Sequence, residues 1–390
     1  MNDFYAMRFI FNIIFALSVW VLTGCASDKQ MVGNDGNVTT VVIPKPVDSK
    51  HIDVISDLDY IILEAKENAY LGFVSKLRIH RNKIYVLDDR HANALFIYTM
   101  EGKHIATIGD KRGRGPQDFV ELSNFEIDYV NNQILTMDNF GHKFMIYDLD
   151  GNFIKQVGSD IYVSNAVLLP NGHILHAISP DITFLGKEKI LVVDENRRIV
   201  KRKFEYEINE NINFSIQDII RSQFDGSFNF SPAFRDTIYT IDERLEIIPK
   251  YAINYGDNKH LSKKTLKRLR SIDELREIAK GGSIWFMGNN VESEDFLYFR
   301  MGILYNEKYV FYDKRANRAI AISCDARPWQ YKYYLYRLLC SDEDGYFYGS
   351  LNSAMDVDNF FKLLPEKPKI DTTEELNPIL FRYKLNNAFN

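Results

Sequence analysis

The sequence predicts an all-β protein, a six-bladed β-propeller of four-stranded antiparallel blades with a small helical insertion near 261–281. Two observations carry the β-propeller and a third adds the insertion. The stretch from Leu77 to Gly158 contains two similar copies, with Tyr98 aligned to Tyr147, Gly102 to Gly151 and Gly109 to Gly158, each pair 49 positions apart. Each copy holds four short runs rich in Ile, Val, Leu, Tyr and Phe, separated by turn residues such as Arg81-Asn82-Lys83, Glu101-Gly102, Asn131-Asn132 and Asp150-Gly151. Such runs suit a pleated surface, and Asp-Gly or Glu-Gly lets the chain reverse where a positive φ is needed. Four strands repeated at this period read as propeller blades. The third observation is Ser262 to Lys280, where Leu266, Leu269, Ile272, Leu275 and Ile278 recur at three-residue spacing, a helical stripe.

In chain order, an address comes first. Phe9 to Leu22 is an apolar run of 14 residues behind Arg8, short for a membrane span and of the length of a signal-peptide core. It ends in Leu22-Thr23-Gly24-Cys25, which resembles the lipobox of bacterial lipoproteins. Residues 1–24 are therefore expected to be a lipoprotein signal peptide and Cys25 the lipidation site, since several acyl chains anchor firmly where one does not. Residues 25–50 are polar and rich in Gly, Asn and Thr, with Pro44 and Pro46, and read as a flexible tether. The propeller takes 51–390. The expected location is the cell envelope, lipid-anchored at the outer membrane, with its periplasmic and surface faces both open.

Within the propeller, Ile52 to Leu63 reads as a strand ahead of the two clear repeats, which Gly109 to Phe119 joins. A third unit begins at Val167 and turns at Pro170-Asn171-Gly172; a fourth holds Phe228 to Phe230, Asp236 to Ile241 and Pro249 to Gly256. In the helical stripe, Ser271 with Glu274 fits a capping box and Gly281-Gly282 a C-terminal stop. Strands return at Phe296 to Arg300, Tyr309 to Tyr312 and Arg318 to Ser323, and the last unit runs from Leu335 to Leu385. Six units result. Closure should pair Ile52–Leu63 with the last blade, because an open end would leave a row of unpaired backbone groups.

The second repeat adds a resemblance. Met137-Asp138-Asn139-Phe140-Gly141-His142-Lys143-Phe144-Met145-Ile146-Tyr147-Asp148 resembles the core of an NHL repeat, and Gly113-x-Gly115-Pro116-x-x-Phe119 the loop that precedes one. From the lipobox onward the chain is similar to the six-bladed β-propeller lipoproteins of Bacteroidetes. Asp236-x-Ile238-Tyr239, the Pro249 to Gly256 segment followed by helices, and Asn377-Pro378-Ile379-Leu380 carry the likeness. It implies fold and location, and no catalytic residue.

In such a blade, the loop between the second and third strands and the loop to the next blade emerge on one rim. Asp88–Ala94, Asp110–Glu121 and Asp138–Lys143 bring Arg90, His91, Arg112, Arg114, Asn139 and His142 there as candidate ligand-binding residues. The competing reading is structural, with Asp88 and Asp138 tying off loop N–H groups. His173 and His176, three apart on a strand, point to opposite faces and do not share a metal. No HExxH, CxxC or GxSxG is present, and Gly113-Arg114-Gly115 lacks the Lys-Ser/Thr of a phosphate loop. No cofactor, metal or catalytic residue is expected. The aromatic run Trp329 to Tyr336 reads as inter-blade core, with a stacking platform as the alternative. The basic cluster Lys263, Lys264, Lys267, Arg268 and Arg270 reads as a solvated face. Cys324 and Cys340 are compatible with a disulfide or with two thiols. The net charge of −5 argues against nucleic acid.

Two functions fit. The first is a lipid-anchored envelope propeller that binds a protein, peptide or glycan without catalysis. The alternative is a propeller hydrolase or lyase with a metal in the central channel, which needs Asp, Glu, Asn or His side chains converging on the axis.

Overall fold

The computed structural model describes residues 38–49, 53–65, 70–178, 186–205, 220–223, 225–242, 244–302, 306–323, 333–366 and 377–386. The expected signal peptide, Cys25, Cys324 and Trp329 to Lys332 lie outside these residues. The strands form six sheets, one per blade, as expected. Blade 1 is β4 (Lys76–His80), β5 (Lys83–Asp88), β6 (Ala94–Thr99) and β7 (His104–Ile108). Blade 2 repeats it with β8 (Asn124–Asp128), β9 (Gln133–Asp138), β10 (Lys143–Asp148) and β11 (Phe153–Gly158). Blade 3 is β12 (Asn165–Leu168), β13 (Ile174–Ala177), β14 (Glu188–Val193) and β15 (Ile199–Glu205).

Blade 4 is β16 (Ile220–Ser222), β17 (Phe228–Phe230), β18 (Thr237–Ile241) and β19 (Ile247–Asn254). Blade 5 is β20 (Phe286–Glu292), β21 (Phe296–Met301), β22 (Lys308–Asp313) and β23 (Arg318–Ser323). Blade 6 combines β24 (Cys340–Ser341), β25 (Phe347–Leu351) and β26 (Ile379–Leu385) with β3 (Ile55–Ile62) from the start of the propeller. Leu380 pairs with Ile61 and Leu385 with Ile55 in antiparallel register, so the ring closes where the sequence predicts.

Alternation in these strands separates neighbours rather than core from solvent. On β5, Ile84 and Val86 join the core shared with blade 6, while Tyr85 and Leu87 join the core shared with blade 2. Six apolar clusters, one between each pair of adjacent blades, follow from this two-sided burial. Tyr334, Leu335 and Tyr336 are buried between blades 5 and 6, as the inter-blade reading of that aromatic run expects.

The N-terminal segment corrects the domain boundary. Thr39–Val42 (β1) adds in parallel to β19, and Val47–Asp48 (β2) adds in parallel to β23. Residues 38–48, read as part of the tether, thus belong to the propeller. The physical reason is that outer strands have an unpaired edge, and a short extended segment satisfies it through its backbone whatever its side-chain pattern.

The helical stripe forms two helices, α1 (Lys263–Leu266) and α2 (Ile272–Lys280). Leu269, Leu275 and Ala279 pack with Trp285 into the core between blades 3 and 4, while Ile272 is partly exposed. Ser271 Oγ accepts from Glu274 N–H at 3.3 Å, and the Glu274 carboxylate reaches back to Arg270 N–H at 2.9 Å rather than to the cap residue itself. A further helix, α3 (Ala354–Phe361), lies between β25 and β26 and buries Phe360 and Phe361; its stripe is too short to have been legible.

Candidate functional site

Two places gather polar groups: the rim between blades 1 and 2, and the axis. On the rim, Asp88 and Asp138 end the second strands of their blades, both almost fully buried. The Asp88 carboxylate accepts from Gly72 and Phe73 N–H on one oxygen and from Arg90 and His91 N–H on the other. Burial alone would raise its pKa, but these backbone donors outweigh it and hold the group below the usual carboxylate value. Asp138 accepts from Val120, Glu121 and Gly141 N–H. A Cβ at Gly141 would stand 2.2 Å from Asp138 Oδ2, which is why that turn holds glycine. Both carboxylates are structural ties, and they set the rim loops side by side.

The loops differ in length. Gly109 is followed by 14 residues before β8, whereas Gly158 is followed by six before β12. The extra residues carry Arg112 to Asp118 across to blade 2, where Lys143 Nζ donates to Gly115 O at 3.0 Å and to Asp118 O at 2.5 Å. A pocket of about 310 Å³ opens between that loop and the β9–β10 turn, lined by Arg114, Gly115, Pro116, Val120, Phe140, Gly141, His142, Lys143 and Gln156.

The six candidate residues separate into three kinds. Arg112 forks onto Ala92 O and Asn93 O at 2.8 and 2.9 Å and also donates to Asn93 Oδ1, so its donors hold the loop. Asn139 exchanges bonds with Val163, donating to its C=O at 3.0 Å and accepting from its N–H at 3.1 Å. Arg90 lies over the Phe73 ring at 4.1 Å and His91 beside Asp88 at 3.8 Å, both away from the pocket lining. Arg114 and His142 share the pocket, exposed, and their side chains have no hydrogen-bond or ion-pair partner among the described residues.

The sequence reading missed Phe140, 56% exposed, and Gln156 on the outer strand of blade 2. An aromatic residue inside a polar turn, Asp138-Asn139-Phe140-Gly141, was the available signal for Phe140. Tyr162, half exposed, meets Phe140 edge to face at 6.5 Å.

At the axis, polar side chains do converge. Arg78 donates to Glu126 through Nε at 2.7 Å and Nη2 at 2.9 Å, a two-pronged pair. Lys76 Nζ reaches Glu126 Oε2 and Asn124 Oδ1, both at 3.0 Å. Burial raises the Tyr129 hydroxyl well above its usual value, while Arg78 and Arg221 lower it and Glu126 and Cys340 raise it. Lys76 and Arg78 of blade 1 thus meet Asn124 and Glu126 of blade 2. All four of Lys76, Arg78, Asn124 and Glu126 are nearly inaccessible to solvent. Two cations closing on one carboxylate are the wrong donor set for a divalent metal, and no group of three or more His, Cys, Asp or Glu among the described residues is placed to hold one. His176 is buried against Phe144 and lowered to about 3 by burial, while His173 sits in the preceding turn against Asn171.

Each described blade of the ring carries four antiparallel strands, which makes the protein a six-bladed β-propeller. More particularly, the chain belongs to the family described as a domain of unknown function (DUF4934), which matches residues 38–384. Its solved likenesses include a protein of Bacteroides fragilis provisionally named as exported, at 18% identity and a TM-score of 0.68, covering 90% of this chain and 99% of that one. A member of the DUF4221 family from Bacteroides vulgatus follows at 14% identity and a TM-score of 0.53, covering 85% and 98%. At these identities the likeness is one of fold. No curated protein matches the chain.

Proposed function

We propose that this protein is a non-catalytic binding module of the cell envelope, held to the outer membrane by lipid on Cys25. In this reading the ligand is a protein, peptide or glycan and meets the rim between blades 1 and 2. The single observation behind it is the pocket where the side chains of Arg114 and His142, without partners among the described residues, stand beside exposed Phe140. Other charged side chains of this rim, Arg112 outside the pocket and Lys143 in its lining, are consumed in holding loops. Unspent donors beside an exposed ring are what a ligand needs, and they cost folding little to leave open.

Export rests on the apolar run and lipobox-like Leu22-Thr23-Gly24-Cys25, and the provisional name of the Bacteroides fragilis likeness agrees with it. Cys25→Ala should release the protein from the membrane fraction and abolish labelling by a fatty-acid analogue; equal labelling of both forms defeats the anchor. For the rim, wild type and Arg114→Ala/Phe140→Ala are compared on a combined glycan and peptide array at matched melting temperature. Signals that vanish in the variant support the reading, and identical profiles remove it.

A further inference from the structure

Five main-chain groups at the pocket are bonded, whereas the side chains of Arg114, His142 and Gln156 are not, among the described residues. Gly115 N–H donates to Asp118, and Gly115 O accepts from Lys143. Val120 and Gly141 N–H both donate to Asp138, and His142 O accepts from Ser159 N–H. An extended peptide is held mainly by main-chain hydrogen bonds with pockets for alternate side chains, and here these five main-chain groups already have partners. What is left is a guanidinium, an imidazole and the Gln156 carboxamide, all planar, around the exposed ring of Phe140. Two carboxylates adjoin pocket-lining glycines: Asp138 is buried under its three N–H donors, and Asp118 accepts from Gly115 N–H at 3.0 Å.

We infer that this pocket takes an acidic sugar, with the C–H face of a uronate ring on Phe140 and its carboxylate on Arg114. The inference rests on the binding-module reading above and gives that site its ligand class. Arg114 supplies a fork matched to a carboxylate, which a lysine point charge would not reproduce. Gln156 and His142 offer the donors and acceptors that ring hydroxyls require. The aromatic face is electron-rich and takes polarised C–H groups. At about 310 Å³ the pocket sits at the lower end of the roughly 300–1,000 Å³ of small-molecule sites, room for a single unit of a chain. Tyr162, beside Phe140 and itself half exposed, lies where a neighbouring unit would rest.

The test measures binding of tetragalacturonate, tetraguluronate and tetramannuronate, each against its fully methyl-esterified form, by calorimetry at low salt. Wild type should bind at least one acid form tenfold or more tightly than its ester. Arg114→Ala should erase that difference, Arg114→Lys should restore only part of it, and Phe140→Ala should weaken acid and ester alike by tenfold or more. Equal affinity for acid and ester, a preference that survives Arg114→Ala, or no binding to any uronate overturns the acidic-sugar assignment. An acidic peptide captured by wild type and lost in Arg114→Ala/Phe140→Ala also overturns it, while leaving the rim as a binding site. A rim variant indistinguishable from wild type on every probe removes both.

Discussion

Blades 1 and 2 carry comparable turns between their second and third strands, of five residues (89–93) and four (139–142), yet the two turns have opposite fates. Asn93 and His142 occupy the matching left-handed position, at φ of 52° and 55°. Asn93 spends its side-chain oxygen on Leu122 N–H and on Arg112. His142 has no such partner, because the loop after Gly158 is short and sends no arginine back over its own turn. The long loop after Gly109 closes blade 1 and, by leaning on Lys143, leaves a gap over blade 2. A propeller thus makes a pocket from a difference between repeats, and the residues both repeats share are scaffold.

The largest effect should come from what the two turns have in common. Asp88→Ala and Asp138→Ala each strip the acceptor from several buried backbone donors, and each should cost about 3–5 kcal/mol in urea unfolding. If only one of the two is costly, the turns are not equivalent.

Acid should next reveal the pinned part of the molecule. Glu292, buried between blades 4 and 5, would be raised by burial, but Lys250 and Lys314 at 2.8 and 2.7 Å pull it down to about 2. Because the folded value lies below the ordinary 4.5, its contribution is present above pH 4.5 and fades as pH falls toward 2. The amount is on the order of 3 kcal/mol. Glu292→Gln should lower stability at pH 7 and flatten its fall between pH 4.5 and 2; an unchanged profile would assign that fall to other carboxylates.

The two arginines of the long loop sharpen the comparison further. Arg112→Ala removes a clamp on Ala92 and Asn93 and should destabilise by about 1–2 kcal/mol. Arg114→Ala, two residues on, should change stability by less than about 0.5 kcal/mol while lowering ligand affinity. Exchanged outcomes would mean that Arg112, and not Arg114, faces the ligand. Changing both together confounds the two, so single variants in thermal melts and binding assays are the useful measurement.

Much of the fold was legible because its signals are local. Turn residues at fixed spacing and runs such as Lys83–Asp88 and Gln133–Asp138 specify strands wherever they sit, and repetition specifies the blade. Closure by Ile55–Ile62 followed from the rule that a ring leaves no open edge. The helices at 263–280 showed in their period. The strands β1 and β2 did not show, because four and two residues of extended chain carry no period and pair only where β19 and β23 offer an edge.

The site was legible by place and not by residue. The sequence by itself determined which loops share a rim, since strand order fixes the end of the sheet at which each loop emerges. Only the tertiary structure decided which of Arg90, His91, Arg112, Arg114, Asn139 and His142 keep free donors. An arginine is spent or spare according to the carbonyls that reach it, and those come from Ala92 and Asn93, about 20 residues away along the chain. The same distinction governs the axis, where Arg78 and Glu126 lie 48 residues apart in the chain and meet because neighbouring blades place their inner strands together. Strand-forming preference is written residue by residue, whereas the satisfaction of a charge depends on what folding brings within 3 Å or so of it.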